Sequence, residues 1–297
     1  MRNFYILISC FFVCFFLCAA CTERININTD NAAPRLVITG YITTDTMPHI
    51  ISVSQTAGYF GNDEIKTFSD AVVKINDHYL HPRDSGRYVT ASTFSGVPGE
   101  PYTLDVALDY DRDGTPEHYT AQTTVPAMHT LDFISLHLIL SRAADGPVWS
   151  IFAHFQDQPG PNTFGAHLYV NGIQCTGKLQ HYYLNNFVET AAEGQYINFP
   201  VFHIRQEIDW EEDDKIPLHT GDTITFELNT LTMEYFDFLR AAKLEINGGN
   251  PLFAGPPANA PGNISGGALG VFGAYTVSRK SVILGKEYGF PPRPAVP

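Results

Sequence analysis

Acidic side chains at alternating positions form the sharpest chemical motif of this 297-residue sequence. Asp109, Asp111 and Asp113 alternate along the chain, and a glycine follows them. Carboxylates at positions 1, 3 and 5 of a loop, with a glycine that permits a sharp turn, resemble the start of a calcium-binding loop. Position 12 falls on Thr120, which cannot supply a bidentate carboxylate, and Glu117 at position 9 substitutes for it only in part. Calcium binding is one interpretation, and a plain hairpin loop that turns at Asp113 and the glycine is the other.

The other residue patterns do not support a catalytic site. The eleven histidines show neither the H-x-H nor the H-E-x-x-H spacing of zinc ligands. The serines lack the G-x-S-x-G pattern of a nucleophile elbow, and the glycine-rich stretches lack the Lys-Ser/Thr pair of a phosphate-binding loop. A hydrolase would need an acid, a base or a metal ion to converge in a cleft. We therefore predict that the protein is not an enzyme and that it holds no cofactor.

The composition excludes two broad classes of protein. Apolar residues make up 44% of the sequence and charged residues 16%, so the chain can bury a core and is not intrinsically disordered. Asp and Glu outnumber Lys and Arg by 31 to 18, which gives a formal net charge of −13. Nucleic-acid-binding proteins need a basic face, so we expect no nucleic-acid partner.

The first 21 residues predict export and lipid attachment. Arg2 precedes an apolar run from Phe4 to Ala20, which ends in Ala19-Ala20-Cys21. A positive start, an apolar stretch and small residues before a break are typical of a signal peptide, here residues 1–20. The ending looks like a bacterial lipobox, in which the Cys21 sulfur receives a diacylglycerol. An uncleaved membrane helix, for which the run is near the minimum length, and simple secretion are the alternatives.

Most of the remaining sequence is typical of β-strands. Residues 21–34 predict an extended tether. Short runs of alternating apolar and polar residues follow, and Gly, Pro, Asn or Asp separates them. We predict a mainly β protein with two β-sandwich-like domains. The N-terminal one, residues 35–127, is expected to be immunoglobulin-like or transthyretin-like, and the second covers residues 128–297. Asn171-Gly172 predicts a hairpin turn because both residues tolerate positive φ.

One segment of the second domain departs from the strand pattern. Apolar residues recur at steps of about three residues between Met233 and Ala242, and Gly248-Gly249 follows. This spacing predicts one short amphipathic helix over residues 232–245, capped by Thr232. Its aromatic residues are expected to pack in the core.

Five segments in a fixed order along the chain point to a known family. They are Leu36–Thr43, Ser69–Ile75, Gly99–Leu104, Met233–Leu239 and Asn263–Gly273. Their order and spacing resemble the DUF4249 family of Bacteroidota lipoproteins. The last segment, which reads N-I-S-G-G-A-L-G-V-F-G, is the most specific of them.

The resemblance implies a cell-envelope lipoprotein of unassigned biochemistry. The family has no catalytic residues that could be assigned to positions of this sequence. Such proteins are often encoded beside TonB-dependent outer-membrane receptors, so the resemblance implies a non-enzymatic accessory subunit of a transport complex. The expected partners are the lipid anchor in the outer membrane and such a receptor. Only one acidic residue, Glu23, lies just after Cys21, so the periplasmic and the cell-surface face both stay open. The alternative is a free-standing surface lipoprotein that binds glycans or peptides.

Overall fold

The fold is known from a computed structural model that describes residues 34–56, 65–143, 146–187, 194–205, 207–209, 215–246 and 260–293. The signal peptide and Cys21 lie outside these residues. The described part is mainly β, with several sheets and one α-helix, which confirms the fold class predicted from the alternating pattern.

The strands are short, and most of them pair with antiparallel neighbours. They are β1 (Leu36–Thr43), β2 (Ile50–Gln55), β3 (Val72–Ile75), β4 (His78–Tyr79), β5 (His81–Pro82), β6 (Arg87–Val89), β7 (Pro101–Leu108), β8 (Glu117–Thr124), β9 (Leu131–Ala143), β10 (Gly146–Gln156), β11 (Asn162–Val170), β12 (Ile173–Gln174), β13 (Tyr183–Phe187), β14 (Tyr196–Ile204), β15 (Glu207–Asp209), β16 (Lys215–Pro217), β17 (Thr223–Leu231) and β18 (Phe272–Ile283). The helix α1 covers Met233–Ile246, and one 3₁₀ turn covers Lys286–Tyr288.

One large sheet contains strands from both halves of the chain. Its nine strands include the path β12-β11-β17-β18-β1-β2-β6-β5, with β13 paired to β11. Strand β18 lies parallel to β1, with Gly40 opposite Phe272, and antiparallel to β17. The division at residue 127 therefore does not separate two sheets, and the first hydrophobic core also crosses it, because that core includes Phe272 and Ala274 of β18. The two-domain division stays a prediction.

The first core lies between the N-terminal strands of the large sheet, joined by β18, and a four-stranded sheet of order β4-β3-β7-β8. Inward positions of β1 and β7 alternate with exposed or half-buried ones, as the period of a strand requires. Ile38, Ile51, Leu104 and Val106 are fully buried. Each such side chain contributes about 2 kcal/mol to folding through the apolar surface it removes from water.

The second core lies on the C-terminal strands of the large sheet and on a three-stranded sheet of order β14-β10-β9. Phe155 of β10, Phe164 of β11 and Phe226 of β17 fill it. Asn171 has φ 50° and Gly172 has φ 84° between the paired strands β11 and β12. The predicted hairpin turn is therefore confirmed.

The helix α1 packs on a third, smaller cluster. Tyr235 and Phe236 are buried there against Val271. The Thr232 carbonyl accepts a hydrogen bond from the Phe236 N–H at 2.9 Å, whereas the Thr232 hydroxyl has no hydrogen-bond partner in the described structure. The prediction that the Thr232 side chain caps the helix was therefore wrong, because its buried hydroxyl accepts no hydrogen bond from the N–H groups of the first helical turn. Within the described ranges, no helix is both long and apolar enough to cross a membrane.

Candidate functional site

The predicted acidic motif lies in the loop that joins β7 to β8. These strands pair antiparallel up to Leu108 and Glu117. Arg112 has φ 65° and Gly114 has φ 94°, so two left-handed residues reverse the chain. This reversal places Asp109, at the end of one strand, close to Glu117, at the beginning of the next.

Three carboxylates converge in this loop. Ligand oxygens of Asp109, Asp111 and Glu117 lie within 4.8 Å of one another. One oxygen of Asp109, Oδ1, is buried and accepts no hydrogen bond from the described residues. Asp113 does not belong to the group, and its carboxylate accepts the Thr115 N–H at 2.8 Å. The structure thus places Glu117 where the sequence pattern indicated Asp113.

Oxygen-rich groups of this kind suit calcium, but two of the carboxylate oxygens already accept hydrogen bonds from backbone N–H groups of the loop. Asp109 Oδ2 accepts the Gly114 N–H at 3.1 Å, and Glu117 Oε2 accepts the Tyr110 N–H at 2.8 Å. Both the calcium loop and the plain hairpin loop account for this geometry, and calcium binding stays a prediction. Thermal unfolding in calcium and in a chelator separates the two, because calcium stabilises only a loop that binds it.

A second group of polar side chains lies inside the large sheet. Glu227 of β17 is 3% exposed, and its Oε2 accepts hydrogen bonds from Arg279 Nε at 2.7 Å and from the Tyr169 hydroxyl at 2.9 Å. Its Oε1 accepts the Asn229 amide at 2.9 Å. Arg279 also makes a bidentate pair with Asp45, at 3.0 and 2.6 Å. This network joins β11, β17, β18 and the chain after β1, so we interpret it as structural.

This network was not predicted from the sequence, although the position of Glu227 in the sequence indicates it. Glu227 lies in a run of strand residues, T-I-T-F-E-L-N-T-L, whose other members are apolar or uncharged. A lone acid within such a run is expected to meet a cation on a neighbouring strand. The register of β17 and β18 places it directly opposite Arg279.

Aromatic and imidazole rings cover the side of the three-stranded sheet that faces away from the second core. We call this side the outer face. Phe133 of β9 stacks on His154 of β10, with ring centroids 4.0 Å apart, and His137 lies 4.5 Å from Phe152. Phe133 is 49% exposed, and Tyr196 at the start of β14 is 50% exposed. The outer face therefore presents a cluster of rings to the surroundings.

On the outer face, the hydroxyl of Ser135 lies within hydrogen-bond distance of both His137 and His154. Ser135 Oγ lies 2.9 Å from His137 Nε2 and 2.8 Å from His154 Nε2. A hydroxyl has one proton, so it donates to at most one of these nitrogens. Burial, and then the neighbouring His137, lower the pKa of His154. The rings are therefore fixed in one arrangement.

Two further histidines are buried in the cores. His129 Nε2 lies 3.4 Å from a carboxylate oxygen of Asp157, and both side chains are almost fully buried. His49 Nε2 accepts the Thr43 N–H at 3.0 Å. Across the residues that the structure describes, the one group of three or more possible metal ligands is that of Asp109, Asp111 and Glu117.

Comparison with known protein families gives a match over most of the chain. The family model described as a domain of unknown function, DUF4249, matches residues 22–281. No curated protein is similar enough to count as a relative. The match begins directly after Cys21 and runs from the tether almost to the end of β18, and so includes the strands of both cores. The chain therefore belongs to the DUF4249 family.

Proposed function

We propose that the protein is a lipoprotein of Bacteroidota, anchored to the outer membrane through Cys21, where it serves as a non-enzymatic accessory subunit of a TonB-dependent transport system. The lipobox-like ending at Cys21 supports the anchor, and the family match supports the same start of the mature chain because it begins at residue 22. Residues 1–20 contain Arg2 and no acid, so the remaining chain stays acidic. Lipid rather than charge therefore holds it to a membrane surface.

One observation carries the proposed contact with a receptor, namely the exposed rings of the outer face. Contiguous apolar surface on a folded protein marks an interaction site, and interface cores are enriched in aromatic side chains. Phe133 and Tyr196 are each about half exposed there. We infer that the receptor barrel covers this face. Two proteins held in one membrane meet at a high effective concentration, which favours such a contact.

The anchor is tested by Cys21→Ser. We expect this variant to lose acyl labelling and to move from the membrane to the soluble fraction, because a serine hydroxyl cannot form the thioether to the lipid. Metabolic labelling with a fatty-acid analogue, followed by fractionation, measures both effects. The control is Cys175→Ser, which removes a buried thiol of the second core and should keep label and attachment. Membrane attachment without label would instead support an uncleaved helix.

The contact with a receptor is tested by Phe133→Asp. Tagged wild-type protein purified from native outer membranes should bring along a TonB-dependent barrel in equal amount, detected by mass spectrometry. We expect Phe133→Asp to lose the barrel while it stays folded and anchored, because a charge on the outer face opposes its burial. The control Leu244→Asp changes a residue of α1 that is 61% exposed, and it should retain the barrel. A wild-type protein that purifies alone would contradict the accessory role and favour the free-standing binding module.

A further inference from the structure

A cleft of about 500 Å³ opens beside the edge strands β4 and β5. Strand β4 is the edge of the four-stranded sheet, and β5 is the edge of the nine-stranded sheet. The chain crosses from one sheet to the other at Leu80, whose side chain is buried and whose N–H donates to the Val73 carbonyl at 2.9 Å. The cleft lies at this crossing, and its volume is in the range of small-molecule sites.

The lining of the cleft combines an apolar floor with a polar rim. Ile75 and Leu80 are buried beneath it, and Phe94 is half-buried. The exposed polar members of the lining are Asp77, His78, Tyr79, His81 and Thr93. The lining contains no lysine or arginine. Sites that bind small polar molecules usually show this mixture of an apolar surface and a few convergent polar groups.

The two aromatic rings of the cleft are positioned by their neighbours. Lys74 Nζ lies over the Tyr79 ring, 5.0 Å from its centroid, and the side chain of Tyr79 is nevertheless 66% exposed. The Phe94 ring makes edge contacts with His49 at 5.4 Å and with Tyr102 at 5.9 Å. The Phe94 ring is therefore ordered before a ligand binds, which lowers the entropy cost of capturing that ligand.

The wall beside Phe94 is fixed by hydrogen bonds to the chain after β1. The His49 N–H donates to the Thr90 hydroxyl at 2.9 Å, and the Thr90 N–H donates to the His49 carbonyl at 3.0 Å. The Met47 N–H donates to the Phe94 carbonyl at 3.1 Å. The segment from Thr90 to Phe94 therefore belongs to the rigid part of the fold.

We propose that this cleft binds a neutral saccharide. The faces of sugar rings present C–H groups that pack on aromatic rings, while their hydroxyls exchange hydrogen bonds with carboxylate, imidazole and hydroxyl groups. An anionic ligand would meet the Asp77 carboxylate on a chain of net charge −13, and the nearby ammonium of Lys74 is held over the Tyr79 ring and does not line the cleft. A wholly apolar ligand would leave the polar rim unpaired. The site lies on other strands than the outer face and does not depend on the proposed receptor.

The proposal is tested with the purified full-length protein in detergent. It is titrated calorimetrically with neutral hexasaccharides of glucose, mannose, xylose and galactose. We expect at least one of these sugars to bind in equal stoichiometry, and Tyr79→Ala to weaken that binding by about tenfold or more. Asp77→Asn should weaken it as well, because an amide accepts fewer hydrogen bonds than a carboxylate. The matched control is Tyr196→Ala, which removes an exposed tyrosine of the three-stranded sheet and should bind as the wild type does.

A loss of sugar binding by Tyr79→Ala can be distinguished from misfolding by the Tm of the variant. Because Tyr79 is exposed on a two-residue edge strand, its truncation should leave the Tm unchanged. The proposal would be overturned if none of these sugars bound with a Kd of about 1 mM or lower, which is already weak binding. Equal affinity of the wild type and Tyr79→Ala would overturn the assignment of the site. Binding of acidic oligosaccharides or peptides alone would overturn the assignment of the ligand. Receptor capture in the earlier experiment is unaffected by any of these results.

Discussion

Replacing Arg279 with methionine should destabilise the protein by about 3 kcal/mol, because it leaves Glu227 charged and buried without its cation. Glu227 is 3% exposed, and Arg279 Nε lies 2.7 Å from its carboxylate. Loss of one partner from a buried ion pair costs about 3–5 kcal/mol, and the lower end applies because the Arg279 side chain is itself 42% exposed. Urea unfolding at neutral pH measures the change in the free energy of unfolding.

Two further variants identify the cause of that loss. Adding Glu227→Gln to Arg279→Met should recover most of the lost stability, since a neutral amide tolerates burial and still bonds to Tyr169. The matched control is Arg87→Met, which breaks the exposed pair of Arg87 and Asp84 and should change the stability by less than about 1 kcal/mol. Equal losses from Arg87→Met and Arg279→Met would show that the buried carboxylate is not the source of the effect.

Acidification from about pH 7.5 to about pH 5.5 should lower the free energy of unfolding of the protein. Burial lowers the pKa of His49, His129, His154 and His167 below the ordinary value of 6.5. As the pH falls, the unfolded chain therefore binds protons before the folded chain does. The stability is intact above about pH 6.5, and each histidine then removes up to about 1.4 kcal/mol per pH unit until it is protonated in the folded state as well.

Neighbouring charges moderate this loss without reversing it. Asp45 raises the pKa of His49 and Asp157 raises that of His129, but burial is the larger cause at both sites. The measurement is urea unfolding at the two pH values. His49→Gln should reduce the pH dependence, whereas His203→Gln, at an exposed histidine, should leave it unchanged. A protein that is equally stable at both pH values would contradict the expected uptake of protons on unfolding.

Local features of the fold were predictable from the sequence. Strand β7, for example, alternates strictly between buried and more exposed residues from Pro101 to Leu108, and the matching alternation of apolar residues is visible in the sequence. The turn at Asn171-Gly172 was predictable for a similar reason, because it depends on the φ angles that two adjacent residues tolerate. Both features are set by residues close together in the chain.

Features that depend on distant residues were not predictable in this way. The alternation of β1 indicates which side chains point inward, but it does not reveal that β18 is the partner of this strand. Strands β4 and β5 have two residues each, too few to show a period, so the cleft beside them left no sequence signal. Glu117 joined the acidic group because the hairpin returns the chain beside Asp109, a consequence of strand pairing rather than of loop spacing.

The parallel pairing of β1 with β18 has a consequence for when the protein can fold. Strand β1 lies between β2 and β18 in the large sheet, so this first of the described strands gains its second neighbour only after Phe272–Tyr275 have been added. Contacts between the two ends of a chain form slowly, because a long loop must close before they contribute. The large sheet is therefore expected to be completed only when most of the chain has been synthesised, which would keep the chain open for the export that we propose.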